Sequence, residues 1–354
     1  MWLSALARSA EVTLVAPHGT VPGAAPPFRF YAAPRSFPCA VRGLAELMRG
    51  RVPFQSLLVA PYDWGATIAR ARRDAGPFDV TVVLLSRMHP WIRRSLDGRT
   101  VLDAVDSLRR NAEERLKAAA LPMRWLWMIE QRRMARLEID AARTYDQVVV
   151  VSEEERPDFG EAVAVSTGIP TAPLGGAPRA FDFGFWGRLP YFANADAVNW
   201  ILDEIWPAIR ALHGSATFVI GGADAPRSFR NGARRRGVTL VSPISDMASF
   251  ARNVRVALMP LRYGSGQSMK ILEAAEAGCG IVGTPQAVRG LAPLARFARI
   301  ESTAAGLARA AVELLADDDG RALLVAQLRG VIETDYARSV TLDRLSAIAG
   351  AVEA

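Results

Sequence analysis

Within Val254–Pro285, VRVALMPLRYGSGQSMKILEAAEAGCGIVGTP, glycine, lysine and glutamate stand at spacings that suit a phosphorylated ribose. A hydrophobic run ends at Pro260, Gly264 and Gly266 follow, and a helix is predicted from Ser268. Glycines ahead of a helix N-terminus let backbone N–H groups approach a phosphate, and the helix dipole favours its charge. Lys270, in the first turn, adds a point charge for a diphosphate. Glu273, three residues on, shares that helix face and can accept hydrogen bonds from a ribose diol. An ordinary surface helix with a Lys–Glu pair has the same spacing, but lysine occurs in this chain only at Lys117 and Lys270.

Other candidates are more isolated. Arg188 follows the apolar run Gly184-Phe185-Trp186-Gly187, where a bidentate guanidinium suits a diphosphate and a plain surface arginine is the alternative. Asp106 ends a predicted strand, either as a polar group near a reacting centre or as the N-cap of the next helix. His18, His89 and His213 form no recognisable set, and His89 beside Pro90 reads as a loop residue. Cys39 and Cys279 are the only cysteines, so there is no disulfide framework and no cysteine metal cluster, which fits a reducing cytoplasm. No metal site is expected.

The elements that must position these residues alternate between β-branched runs and helical patterns, the sign of an α/β fold with parallel sheets. In the first half, strands are predicted at Val12–Ala16, Arg29–Ala32, Val80–Leu85, Thr100–Val105 and Val148–Ser152. Helices are predicted at Val41–Arg49, Trp64–Asp74 and Arg124–Thr144. In the second half, strands are predicted at Phe183–Trp186, Thr217–Ile220, Val238–Val241, Val254–Met259 and Gly280–Gly283. Helices there fit Ala195–Leu212, Met247–Arg252, Ser268–Ala277 and Ala304–Ala316. Ser166–Pro178, rich in glycine and proline, reads as a linker. The expected organisation is a first domain at 1–165, a linker at 166–180, a second domain at 181–330 and a final helix at 331–354 that returns to the first domain.

Composition excludes several classes. The 354 residues suffice for two domains, and 50% hydrophobic with 22% charged residues is a globular profile. No run of about 18 apolar residues lacks a charge, so no membrane span is expected, and Met1–Val15, broken by Arg8 and Glu11, does not read as a signal peptide. The net charge of +7 is almost all arginine, a bias in keeping with a GC-rich bacterial genome. Arg87–Arg136 nevertheless holds twelve basic and six acidic residues, either a solvated face or a surface for anionic lipid or substrate. Arg124–Arg136 mixes Trp125, Trp127 and Met128 with arginines at helical spacing. It is either an interfacial helix on a membrane surface or a helix packing its aromatics on the core. No nucleic-acid module is present.

Three segments carry a family resemblance. Leu272-Glu273-Ala274-Ala275-Glu276-Ala277-Gly278, with Ile281-Val282-Gly283-Thr284, resembles the donor-binding signature of retaining GT-B glycosyltransferases of the large bacterial family four. Gly184–Leu189 with Asn194–Val198 is similar to the opening of that family's donor domain. Leu102–Ser107 with Val148–Glu153 is similar to its polysaccharide-building members. The resemblance implies two Rossmann-like domains facing a cleft that closes for reaction, a cytoplasmic enzyme peripheral to the plasma membrane's inner face, and no cofactor beyond the donor. It implies that Arg188, Gly264, Gly266 and Lys270 hold the diphosphate of a UDP- or GDP-linked sugar. It further implies that Glu273 binds the ribose and that Pro243, Ile244 and Asp246 line the nucleobase. Asp106, Arg188 and Lys270 are then the catalytic candidates, and the acceptor is a glycan or a lipid-linked sugar.

The chain departs from the pattern at Ser265, where the family often has glutamate, and at Ala193, where it often has lysine. The first strand and glycine-rich loop expected before Val12 are not seen, as from a misassigned start or a truncated form. Retaining transfer in cell-surface polysaccharide synthesis is the expected function. The alternatives are a non-catalytic relative that binds a nucleotide sugar or a partner, and a nucleotide-sugar epimerase.

Overall fold

The computed structural model describes residues 1–17, 28–176 and 178–350. His18, residue 177 of the expected linker and residues 351–354 of the expected final segment lie outside the described residues. The chain divides into two compact units, 1–168 with 339–354, and 169–338.

In the first unit, β1 (Thr13–Pro17) pairs in parallel with β2 (Arg29–Ala33). A second parallel sheet runs in the order β3 (Val80–Leu84), β4 (Arg99–Val105), β5 (Gln147–Val150), β6 (Val163–Ala164). Among the described residues these are two separate parallel sheets. Alternation along the strands covers both faces of the larger sheet, as parallel sheets require. Leu102, Ala104, Val148 and Val150 pack with Trp64 and Ala141, while Val101 and Val149 pack with Trp2, Ala5 and Leu345. Trp2 and Ala5 come from the helix Trp2–Leu6, and Leu345 from the helix Arg338–Gly350. The two helices are joined where Ser346 Oγ donates to the Ala5 carbonyl at 3.1 Å.

The second unit is one six-stranded parallel sheet. Its strands are β7 (Phe181–Trp186), β8 (Phe218–Gly221), β9 (Thr239–Val241), β10 (Val254–Met259), β11 (Gly280–Gly283) and β12 (Arg299–Ile300). Their order is β12-β11-β10-β7-β8-β9. The chain runs outward from β7 to β9, then returns to β7's other side as β10. Phe183, Phe185, Trp186, Leu258 and Ile281 form the centre of a continuous apolar core.

The segment read as a linker is packed in its later part. Ala172 N–H donates to Glu276 Oε1 at 3.0 Å, and Arg179 donates to the Ala277 carbonyl at 2.8 Å. Glycines and prolines there relieve the chain of regular structure, but the polar groups still find partners on the unit they precede.

Candidate functional site

At the centre of the second unit, β7 and β10 lie side by side and the chain leaves them toward opposite edges of the sheet. Ligands of open parallel sheets bind outside the carboxyl ends of the strands at such a reversal. There β7 releases Gly187 and Arg188, and β10 releases the loop that leads to the helix Met269–Glu276.

Glycines shape this edge. Gly187 N–H donates to the Gly221 carbonyl at 3.0 Å, continuing the β7–β8 ladder. A Cβ on Gly187, whose φ is +151°, would lie 2.6 Å from Lys270 Cε, 3.2 Å from its Nζ and 2.9 Å from Asn194 Nδ2. The bare backbone of Gly187 therefore makes the room in which the lysine lies. Asn194 Nδ2 donates to the Arg188 carbonyl at 2.8 Å, fixing the turn.

Lys270 is half-buried in the first turn of its helix. Among the described residues its ammonium has no hydrogen bond or ion pair. Burial lowers its pKa, and nearby Glu273 offsets part of that. Ser268, the N-cap residue, makes no side-chain cap, so no cap occupies the first backbone amides of the helix. A shielded ammonium beside uncapped amides is an environment that a phosphate relieves, since each new contact is charge-assisted.

Glu273 lies one turn on, where its Oε2 accepts a hydrogen bond from Trp186 Nε1 at 2.7 Å. Burial raises the carboxyl's pKa, and the Trp186 bond and Lys270 oppose the rise. With Oε2 held, Oε1 is the atom left for a diol. Trp186 is fully buried at the end of β7 and packs edge-on to Phe250, ring centroids 6.1 Å apart. Neither Trp186 nor Asn194 was among the sequence candidates. The available signal was that a buried indole N–H needs a partner, but nothing local names Glu273, 87 positions away.

The remaining candidates are placed as follows. The Arg188 backbone belongs to this edge, but its exposed guanidinium faces Asp224 at 3.4 Å, a rim pair of about 0–1 kcal/mol. Gly264 and Gly266 take φ of +144° and +69°, and Gln286 Nε2 holds the Gly264 carbonyl at 2.6 Å. Ser265 stands half-buried between them, and Ala193 is buried in the helix Phe192–Trp200. Ile244 comes up to Gly221, with its Cδ1 2.6 Å from where a Cβ would stand. Pro243 follows a cis peptide bond, and Asp246 caps the helix Met247–Arg252 through Ala248 N–H at 3.0 Å. Asp246 thus has a structural role of its own, whereas Ile244 offers an apolar surface beside the β8 end.

Asp106 belongs to the first unit, just past β4. The N-cap of the helix Leu108–Ala118 is the next residue, Ser107, whose Oγ accepts from Arg110 N–H at 3.3 Å. The capping alternative for Asp106 is thereby corrected. Val105 before it has φ of +64°, and Leu85, just past β3, has φ of +72°. A β-branched residue in that region is strained, and such strain gathers at functional edges. The Asp106 carboxylate acts on Arg87, opposing the loss of the proton that burial favours.

His89, read as a loop residue, is instead buried at the start of the helix His89–Ile92, with Nε2 3.0 Å from Asp140 Oδ2. Burial lowers its pKa, only partly opposed by Asp140. His213 ends the helix Trp206–Leu212. No group of three or more metal-ligating side chains occurs among the described residues, and no described helix is long and apolar enough to cross a membrane.

Residues 180–317 match the model of the family described as glycosyl transferases group 1. No protein of curated function matches the chain. Among solved structures, the chain is similar to sucrose-phosphate synthase from Thermosynechococcus elongatus, with TM-score 0.75, 13% identity, and coverage of 99% of this chain and 91% of that one. It is similar to WaaG, a glycosyltransferase involved in lipopolysaccharide biosynthesis, with TM-score 0.65, 14% identity, and coverage of 98% and 92%. It is also similar to TarM, with TM-score 0.63, 11% identity, and coverage of 79% of this chain. The chain spans 58% of the length of TarM, an S. aureus variant of which was solved with UDP. Residues 180–317 of the second unit thus match the glycosyl transferases group 1 model, and the chain has the GT-B fold.

Proposed function

We propose that the protein is a glycosyltransferase that moves a sugar from a nucleotide-sugar donor to a glycan or lipid-linked acceptor. The observation that carries this reading is the Lys270 ammonium, half-buried and unpartnered among the described residues, beside Gly187 at the β7–β10 reversal. As the sugar leaves, negative charge builds on the departing diphosphate. Lys270 and the amides from Gly266 to Met269 are placed to take that charge, by preorganised electrostatics. Glu273, oriented by Trp186, takes the ribose, and Ile244 with Phe250 offers the base an apolar wall. Arg188 joins the diphosphate by releasing Asp224, a weak surface partner. Asp106 is the proposed acceptor-side residue of the first unit.

The group 1 domain supports the reaction class, and the UDP complex of TarM supports uridine over guanosine as the first base to test. Retention at the anomeric carbon, a bacterial cell-surface polysaccharide as product, and work at the inner face of the plasma membrane complete the proposal. The WaaG likeness is in keeping with the last two.

The test is calorimetric titration of UDP and GDP into the wild type and Glu273→Ala. Binding that the substitution abolishes supports the site. Binding that the substitution leaves unchanged would remove Glu273 from it, and no binding of either nucleotide would remove the proposal.

A further inference from the structure

β3 and β4 both end in backbone that L-residues rarely adopt. Leu85, just past β3, has φ of +72°, and Val105, the last residue of β4, has φ of +64°. The strands are neighbours, and Leu85 N–H donates to the Asp103 carbonyl at 2.7 Å before the chain turns away. Asp224 is the one other residue besides glycine with such a φ among the described residues. Two of these three strained positions thus stand at one edge of this sheet, and strain of that kind gathers at binding and catalytic edges.

The turn that follows Leu85, Ser86–Met88, is short of hydrogen bonds. Ser86 Oγ, Arg87 Nε and His89 Nδ1 are buried atoms with no hydrogen-bond partner among the described residues. Buried polar atoms are nearly always bonded, as the next indole along the chain is, where Trp91 Nε1 donates to the Ser56 carbonyl at 3.1 Å. Ser86 and His89 are fully buried, and His89 is held through Nε2 by Asp140. Arg87 is only half-buried, so a solute can still reach it.

Arg87 also lacks an acid of its own. Asp158 takes both Arg109 and Arg110, and Asp140 takes Arg93 at 2.8 Å. Next to Asp106, Glu138 accepts from Ser107 Oγ and from Arg109 N–H, and Glu155 accepts from Ser107 N–H. Arg87 makes no hydrogen bond or ion pair among the described residues. It feels the field of Asp106, which opposes the fall in pKa that burial causes. A guanidinium that has lost part of its water and gained no acceptor is unfavourable. An oxyanion relieves it, because the planar fork matches a carboxylate or phosphate through two charge-assisted bonds.

We propose that Arg87 is an anion-binding residue of the acceptor site, and that the sugar acceptor carries an oxyanion, a phosphate or a carboxylate, which Arg87 clasps at the ends of β3 and β4. The inference rests on the proposed function only in calling the bound sugar an acceptor. With the anion fixed at Arg87, the rest of the acceptor is oriented toward Asp106, which lies within electrostatic reach. A neutral sugar leaves the guanidinium unsatisfied and is the poorer ligand.

The test is ligand-observed NMR titration of glucose 6-phosphate, glucuronic acid and glucose, which share a ring and differ in charge. The proteins are the full-length wild type, Arg87→Gln and Arg87→Lys, each also in a Lys270→Ala background so that the donor cation takes no part. The wild type should bind an anionic sugar at least about tenfold more tightly than glucose, from charge-assisted pairing. Arg87→Gln should erase that preference in both backgrounds, and Arg87→Lys should restore part of it, since lysine keeps the charge and loses the fork. Preference for glucose 6-phosphate alone would assign a phosphorylated acceptor, and preference for glucuronic acid alone a uronic-acid one. Thermal melting separates site from scaffold. Arg87→Gln removes a partly desolvated charge that has no partner, so it should melt no lower than wild type, and the preferred sugar should raise the melting of wild type but not of the variant. Equal affinity of the wild type for all three sugars, or an anion preference that survives Arg87→Gln, would overturn the inference. So would a preference lost only together with the fold, seen as lower melting of Arg87→Gln and Arg87→Lys alike, because Arg87 would then be structural. UDP titration of the wild type reads the proposed function separately, since neither result depends on the other.

Discussion

Gly187→Ala tests whether the lysine is the working cation of the donor site. The added Cβ would stand 2.6 Å from Lys270 Cε, against about 3.5–4.0 Å for carbon atoms in contact. The end of the lysine must therefore retreat by roughly 1 Å, and the alanine must hold a φ rarely taken by L-residues, at about 1–3 kcal/mol of strain. Displacing the ammonium weakens a charge-assisted hydrogen bond of about 1.5–3 kcal/mol, so UDP affinity should fall roughly 10- to 150-fold. Lys270→Ala should lose a similar factor.

The decisive measurement is the double-mutant cycle, read by calorimetric UDP titration. If the glycine acts by making room for the lysine, Gly187→Ala should add little in the Lys270→Ala background, so the coupling energy should approach the whole single-mutant loss. A thermal melt of each variant separates strain in the fold from loss at the site. Equal losses from Gly187→Ala with and without the lysine would refute the reasoning, because the glycine would then act through its own backbone.

The other predictions follow from the carboxylates and their titration. Glu273→Ala strips Trp186 Nε1 of its acceptor and should cost about 1–3 kcal/mol of stability, whereas Glu273→Gln keeps an acceptor oxygen and should melt closer to wild type; equal melting of the two would show the Trp186 bond to be idle. UDP favours the charged lysine, so affinity should fall as pH rises through the Lys270 pKa, which burial places below the ordinary 10.5. Binding on the alkaline side should then take up a proton, visible as buffer-dependent heat that Lys270→Ala removes. Glu138, buried beneath the turn that follows Asp106, accepts from Ser107 Oγ at 2.9 Å and has its pKa pushed up from 4.5 to about 7, mainly by burial. A carboxyl raised in the folded state favours folding while protonated, so its contribution is full below about pH 4.5 and lost as pH rises toward 7. Denaturant melts across that window should show this slope in wild type and a shallower one in Glu138→Gln.

Much of the second unit was legible because its signals are local. Gly264, Gly266, Lys270 and Glu273 fall within one strand-loop-helix passage, and a helix start, a glycine loop and an i,i+3 pair need no knowledge of distant residues. Trp186 and Asn194 were not legible, because their value lies in what β7 and the next helix bring to Lys270 and Glu273 across the sheet. The partner of the Arg188 side chain was not legible for a related reason. Its place after β7 follows from the pattern, but its attraction to Asp224 arises where the loops after β7 and β8 meet, with Gly187 against Gly221.

The first unit was harder to read because its chemistry is set by backbone geometry and buried polar pairs. Val105 carries no sign in its side chain that it holds φ of +64°. The conformation is fixed from three sides. Val105 N–H donates to Asp103 Oδ1 at 2.9 Å, Val151 N–H donates to the Val105 carbonyl at 2.8 Å, and Trp2 Nε1 occupies Asp103 Oδ2 at 2.7 Å. A strained β-branched residue persists when its surroundings over-determine it, and here the surroundings come from the chain start, from β4 itself and from the end of β5. The strand pairing with β5 slips between Asp103 and Val105 as a result, and the slip decides where Asp106 and Ser107 emerge. Ser107 is then held from below by Glu138 and Glu155, the latter accepting its N–H at 3.3 Å. Asp106 stands between a strained strand end and a clamped helix cap, so its position is what the fold of this unit controls.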